Sequence, residues 1–303
     1  MTMPAVLPLA HGGGGGDAER WWQIAAILAI TGVGAAYGRG VQELWHRARV
    51  GAGISPPRAA AFAAGLAVLL LAQLPPLHTI AEESFAGHMG QHMVLMVVAG
   101  PLLALGGAGL PLTMALPVGA RRVVARLRSG ALGRWLRQPI RRVLVVGVLH
   151  TGVLWFWHLP APYTAALHSP AVHAVEHLSF VAAAWLLWSA VLAPSRHRVN
   201  GGMAFLLLFG VGMTGAALGA VLTFAPAPLY PGHALAPSGG DPLTDQQLAG
   251  LVMWIPMDMV VLALALSVFV RWLTGLEHGT PGDRALPARG PGPPAPAEEV
   301  TTR

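Results

Sequence analysis

Apolar residues come in seven long runs along this chain, at about 21–38, 59–77, 85–106, 143–160, 171–193, 201–225 and 247–273, separated by stretches that carry nearly all the charge. At 1.5 Å per residue, each run can cross or nearly cross the ~30 Å hydrocarbon layer of a bilayer. The pattern predicts an all-α polytopic membrane protein, a bundle of seven transmembrane helices occupying residues 21–273. Residues 1–20 hold five consecutive glycines, no positive n-region and no adequate apolar h-region, so they read as a flexible extracytoplasmic tail and not a cleaved signal. Residues 274–303, Pro/Gly-rich from Gly279, have too little apolar content to fold and read as a disordered cytoplasmic tail. No internal repeat and no soluble catalytic domain is recognisable.

Charge gives the bundle a direction. Every basic side chain other than histidine is arginine, and 18 of the 19 fall in alternate connections. Arg39, Arg47, Arg49 and Arg58 lie between runs one and two. Arg121, Arg122, Arg126, Arg128, Arg134, Arg137, Arg141 and Arg142 lie between three and four, Arg196 and Arg198 between five and six, and Arg271, Arg284, Arg289 and Arg303 at or after the end of seven. The other connections, about 78–84, 161–170 and 226–246, have none. The positive-inside rule then puts the N-terminus outside and the C-terminus in the cytoplasm. The 107–142 connection interleaves arginine with valine and leucine, which reads as a basic amphipathic helix on the cytoplasmic lipid surface. The basic balance thus points to the lipid bilayer as partner and not to nucleic acid.

Composition narrows the chemistry further. Hydrophobic residues make up 54% and charged residues 11%, with a mean hydropathy of +0.57, outside the range of an ordinary soluble domain. Cysteine is absent, which excludes disulfides and thiolate metal sites and leaves His, Met, Asp and Glu as the available ligands.

Histidine supplies the candidate. His88-Met89-Gly90-Gln91-His92 and His173-Ala174-Val175-Glu176-His177 each place two histidines four residues apart, on one face of a helix. Both pairs fall at the outer ends of their runs, so they share a depth. His158 ends the fourth run on the outer side. His150 lies two turns earlier on roughly the same face, and His78 and His168 occupy adjoining outer connections. Ionisable groups inside a membrane face the bundle interior and usually mark a site, so His88, His92, His173 and His177 are read as metal or haem ligands. Met89, Met93 and Met96 follow helical spacing beside the first pair, and Met253, Met257 and Met259 cluster in the seventh run. Thioethers with imidazoles suit Cu(I), whereas hard cations would want more carboxylates. Glu176 reads as a partner that orients an imidazole. Asp258 reads either as a proton or cation partner or as a hydrogen-bonding contact between helices.

A resemblance rests on these residues: Ser84-Phe85-Ala86-Gly87-His88-Met89-Gly90-Gln91-His92-Met93-Val94-Leu95, Pro101-Leu102-Leu103-Ala104-Leu105-Gly106, Trp155-Phe156-Trp157-His158-Leu159-Pro160, His173-Ala174-Val175-Glu176-His177-Leu178-Ser179-Phe180, and Asp245-Gln246-Gln247-Leu248-Ala249-Gly250 with Met253-Trp254-Ile255-Pro256. In order and spacing the chain resembles the CtaG family of multi-span cytochrome c oxidase assembly factors, over about residues 21–273. It is not similar to the unrelated single-span copper-delivery factor of the same name. The resemblance implies a multi-pass bacterial plasma-membrane protein, not an enzyme, that helps mature an aa-type or caa-type oxidase through copper insertion. Cytochrome c oxidase subunits are then its partners. It also implies that His88, His92, His158, His173 and His177 are the family's motif histidines. Met257-Asp258-Met259 departs from the family's pattern after the proline.

Three other readings remain open at this stage. Facing imidazoles could ligate haem. His150 and Asp258 could line the path of a copper or proton transporter. His173-Ala174-Val175-Glu176-His177 also fits the H-x-x-E-H pattern of a metalloprotease. Self-association is left undecided.

Overall fold

The computed structural model describes residues 15–192, 199–230 and 241–277. Of the tails expected over 1–20 and 274–303, residues 15–20 and 274–277 are helical, and the rest, together with Arg196, His197, Arg198 and the middle of the 226–246 connection, lies outside the described residues. Among the described residues all regular structure is helical. The elements are α1 (Gly15–Arg47), α2 (Pro56–Ala72), α3 (Leu77–Glu83), α4 (Phe85–Leu105), α5 (Gly109–Ala115), α6 (Val118–Ser129), α7 (Ala131–Trp135), α8 (Pro139–Trp157), α9 (Pro160–His168), α10 (Pro170–Leu192), α11 (Gly201–Phe224) and α12 (Pro242–Glu277). Six of them, α1, α4, α8, α10, α11 and α12, are long and apolar enough to cross a membrane, and α2 with α3 forms a seventh candidate, bent by 45°.

The bend is where the structure departs from the expected second run. Pro75 and Pro76 have no N–H to continue the ladder and disfavour helical geometry before them, so α2 stops at Ala72 and the chain restarts in a new direction. The arginine-free stretches 78–84 and 161–170, expected as loops, contain the short helices α3 and α9. The 107–142 connection divides into α5, α6 and α7. No residue of α6 is buried, and Arg121 donates to the carbonyl oxygens of Met114 and Leu116 at the end of α5.

Two apolar cores meet on α4. One gathers buried side chains of α4, α8, α10, α11 and α12, including Met89, Leu154, Phe180, Leu208 and Met253. The other joins α1, α2 and α5 to the far side of α4 through Tyr37, Phe62, Leu95 and Leu103. The most enclosed span is α4, with 61% of its apolar window buried. Pro101 cannot donate to the preceding turn, and the helix widens into a π-helical stretch over Val94–Ala99 just before it. The indole N–H of Trp188 on α10 donates to the Met96 carbonyl oxygen there, at 2.8 Å. Small residues permit the other close contact. A Cβ at Gly250 of α12 would collide with Thr223 and the Gly219 carbonyl oxygen of α11, so glycine lets these helices touch.

Candidate metal centre

The first turn of α4 is tied down from two directions. Ser84 Oγ accepts from the Gly87 N–H at 2.9 Å, the ordinary N-cap arrangement. The Asp245 carboxylate, from the first turn of α12, accepts from the N–H groups of Phe85 at 2.7 Å and Ala86 at 3.1 Å. An anion at a helix N-terminus satisfies donors that have no partner within the helix and opposes the positive end of its dipole. One turn on, the Gln91 amide donates to the Ala72 carbonyl oxygen at the end of α2, at 2.6 Å. The helix that carries His88 and His92 is therefore fixed to α2 and α12 at the level of the site.

On the facing helix, Trp157 donates to Ser179 Oγ at 2.7 Å, and Ser179 donates to the Glu176 carbonyl oxygen at 2.8 Å, which locks α10 against the end of α8. The two pairs then face each other. His88 stacks on His173 with ring centroids 5.3 Å apart, and His92 meets His177 edge to face at 5.1 Å. One ligand atom from each of His88, His92, His173 and Glu176 lies within 4.8 Å of the other three. Four ligands around one ion at 2.0–2.1 Å would be about 3.4 Å apart, so a shift of about 1 Å closes the set.

The surroundings fit an ion. Both ring nitrogens of His92, the Nε2 of His177 and the Oε2 of Glu176 are buried and make no hydrogen bond. Leaving such a group unsatisfied costs about 1–3 kcal/mol. His92 Nε2 and Glu176 Oε1 are 3.9 Å apart, too far for a hydrogen bond and suited to ligands that share a centre. The Glu176 carboxylate is thus among the converging atoms, as well as lying beside His173 and His177 in sequence. Its carboxylate with three imidazoles makes a harder donor set than a Met-rich site would.

A softer pair sits alongside. His158 Nδ1 lies 2.7 Å from the Leu154 carbonyl oxygen, which assigns the proton to Nδ1, and its Nε2 then faces the Met89 sulfur at 3.3 Å. His158 stands outside the group of four, with its ring 6.3 Å from that of Phe180, which in turn is 4.6 Å from His92. Of the secondary candidates, Met93 and Met96 are buried core residues of α4, and Met96 gives its carbonyl to Trp188. His150 is buried on α8, about 12 Å along the helix from His158, with its ring against the Ala183 backbone. Asp258 faces Gly212 of α11, and its Oδ1 is buried without a hydrogen bond. Neither His150 nor Asp258 belongs to the group of four. Met259 is 68% exposed on the outside of α12, unlike the buried Met253 and Met257.

Three aromatic side chains cap the cluster at the arginine-poor end. Phe85 packs on Tyr163 at 5.3 Å and on Tyr230 at 5.1 Å, and the two tyrosine rings are 4.4 Å apart. Tyr230 donates to the His158 carbonyl oxygen at 2.7 Å. Burial pushes the Tyr163 phenol well above its ordinary range, with the Glu176 carboxylate adding to the effect, and pushes Tyr230 up to about 12, so both remain protonated donors. These tyrosines carry no motif signal of their own. Asp245 stands in a recognisable motif, but its capping of a helix 160 residues away is a tertiary fact.

Fold and site together define a multi-span helical protein of the membrane type with a largely buried cluster of three histidines and a glutamate whose ligand atoms lie within 4.8 Å of one another. The chain matches the family described as cytochrome c oxidase caa3 assembly factor (Caa3_CtaG) over residues 35–275, and it belongs to that family. No curated protein and no solved structure matches it.

Proposed function

We propose that the protein binds copper at His88, His92, His173 and Glu176, with His177 and His158 beside them, and passes it to a subunit of the caa3 oxidase. The family supplies the oxidase as client. The observation that supports a metal is the convergence of four ligand atoms within 4.8 Å, with His92 and Glu176 bringing buried atoms that make no hydrogen bond. The protein's part is to hold and release an ion, so no catalytic residue is assigned. By the positive-inside rule the arginine-bearing end faces the cytoplasm of a bacterial plasma membrane and the cluster lies in the outer half. The soft His158–Met89 pair next to the harder cluster lets the site accept copper in either oxidation state.

The test is metal analysis with absorption spectra on the detergent-purified full chain. The wild type is compared with His88→Ala/His92→Ala and His173→Ala/His177→Ala. Near-stoichiometric copper that disappears in both double variants, without a Soret band, supports the reading. A Soret band transfers the site to haem. Absence of metal in every sample after Cu(I) and Cu(II) loading removes it.

A further inference from the structure

The cluster is closed on most sides. His88 and His92 are buried, and Phe85, Tyr163 and Tyr230 cover them at the arginine-poor end. A cavity of about 490 Å³ opens beside it, between the first half of α1, the end of α2, the start of α3, and α9 with α10. Its α1 wall runs from Trp22 to Ile30, so it extends over about 12 Å of depth. The α10 wall contains His173 and His177, the two cluster histidines that are only half-buried. At the other side stand Gln23, whose amide donates to the Gln73 carbonyl oxygen, and His78. His78 Nε2 is 3.3 Å from Glu82, and its Nδ1 is buried without a hydrogen bond. The walls between these groups are apolar, with alanines (Ala25, Ala26 and Ala29 on α1, Ala174 on α10) among larger side chains such as Leu69, Leu95 and Val181.

We infer that this cavity is the passage through which copper enters and leaves the cluster, with His78 as the ligand at its mouth and His173 and His177 as the ligands it reaches first. The volume holds on the order of ten waters, enough for a partly hydrated ion. The alanines on α1 and α10 leave room between the larger side chains. A donor at each end gives the ion a ligand on entry and on arrival, and water serves it between them. The inference rests on the copper reading above and adds a direction to it: the ion arrives from the α1 and α3 side, not through the aromatic cap.

The chain has no cysteine, so one introduced thiol can be modified after folding. Ala26→Cys puts it in the cavity wall, and Leu28→Cys puts it on the 66%-exposed face of the same helix. Each purified apo protein is labelled with methyl or benzyl methanethiosulfonate, so that both samples have a blocked thiol and differ in bulk. Cu(I) loading is followed over time. Benzyl-labelled Ala26→Cys should load at least tenfold more slowly than the methyl-labelled protein and reach the same final copper content, while the two Leu28→Cys samples load alike. His78→Ala should load several-fold more slowly to the same end point. Equal loading rates for benzyl- and methyl-labelled Ala26→Cys overturn the passage, as does a lower final copper content, because the group then acts on the site itself. A wild-type protein that takes up no copper removes the functional reading and the passage together. Copper uptake at an unchanged rate in the blocked protein removes the passage alone.

Discussion

Asp245→Ala deletes both acceptors that hold the Phe85 and Ala86 N–H groups at the start of α4. Hydrogen bonds to a charged acceptor contribute about 1.5–3 kcal/mol each, and an anion at a helix N-terminus adds about 0.3–1 kcal/mol. Asp245 is only half-buried, so water replaces part of this, and Ser84 still caps Gly87. The expected net loss is about 2–3 kcal/mol, a fall in unfolding midpoint of about 4–12 °C. Asp245→Asn keeps one side-chain acceptor and should recover about half of it. The loss is local, because it falls on the turn that holds His88 and precedes the one that holds His92. Copper affinity should therefore drop by about tenfold, as it does when a partner that orients a ligand is removed. Tryptophan fluorescence on heating and competition with a colorimetric Cu(I) chelator measure the two effects. An Asp245→Ala protein with unchanged midpoint and unchanged affinity would refute the idea that α12 sets the position of the metal-binding helix.

Other consequences are as direct. Glu176→Gln preserves shape and removes a charge from the cluster, so affinity for Zn(II) or Cu(II) should fall by at least tenfold while Cu(I) binding changes less; equal losses for all three would argue against a carboxylate ligand. Met89→Leu conserves volume and should cost under about 1.5 kcal/mol of stability. It should nevertheless weaken Cu(I) binding and spare Zn(II), and unchanged Cu(I) affinity would exclude the thioether facing His158. Gly250→Ala drives a methyl group into Thr223 and the Gly219 carbonyl oxygen and should destabilise by about 1–3 kcal/mol without changing copper stoichiometry; a neutral midpoint would show that α11 and α12 are not in tight contact. Copper at a hundredfold excess over its dissociation constant should stabilise the wild type by about 2.7 kcal/mol and leave the double-histidine variants unmoved.

Within-helix order was legible in the sequence; relations between helices were not. The apolar runs and the two His-x-x-x-His pairs follow from the helical period alone, and the structure bears out both helices and brings the pairs face to face. Glu176 was read as orienting an imidazole, because adjacency in sequence does not show that its carboxylate turns into the same space as His88 and His92. The methionines show the same limit. Met89, Met93 and Met96 share a spacing, but only Met89 meets a histidine nitrogen among the contacts described, and Met259 points away from the bundle. The helices α3 and α9 were hidden in connections too short to show a period. The Asp245 cap and the cavity each depend on several segments meeting, so no local pattern announces them.

The sharing of α4 between two cores has a mechanical consequence. Helices α1, α2 and α5 are held together on one side of it, and α8, α10, α11 and α12 on the other. The cavity lies along the seam between these halves, with α1 and α2 forming one bank and α10 the other. A small displacement of α1 alone would widen or pinch the cavity, because the Gln91–Ala72 hydrogen bond keeps α2 with α4 and Val181 and Trp185 of α10 pack on the first core. It would leave His88, His92, His173 and Glu176 undisturbed, since all four belong to the second half and its shared axle.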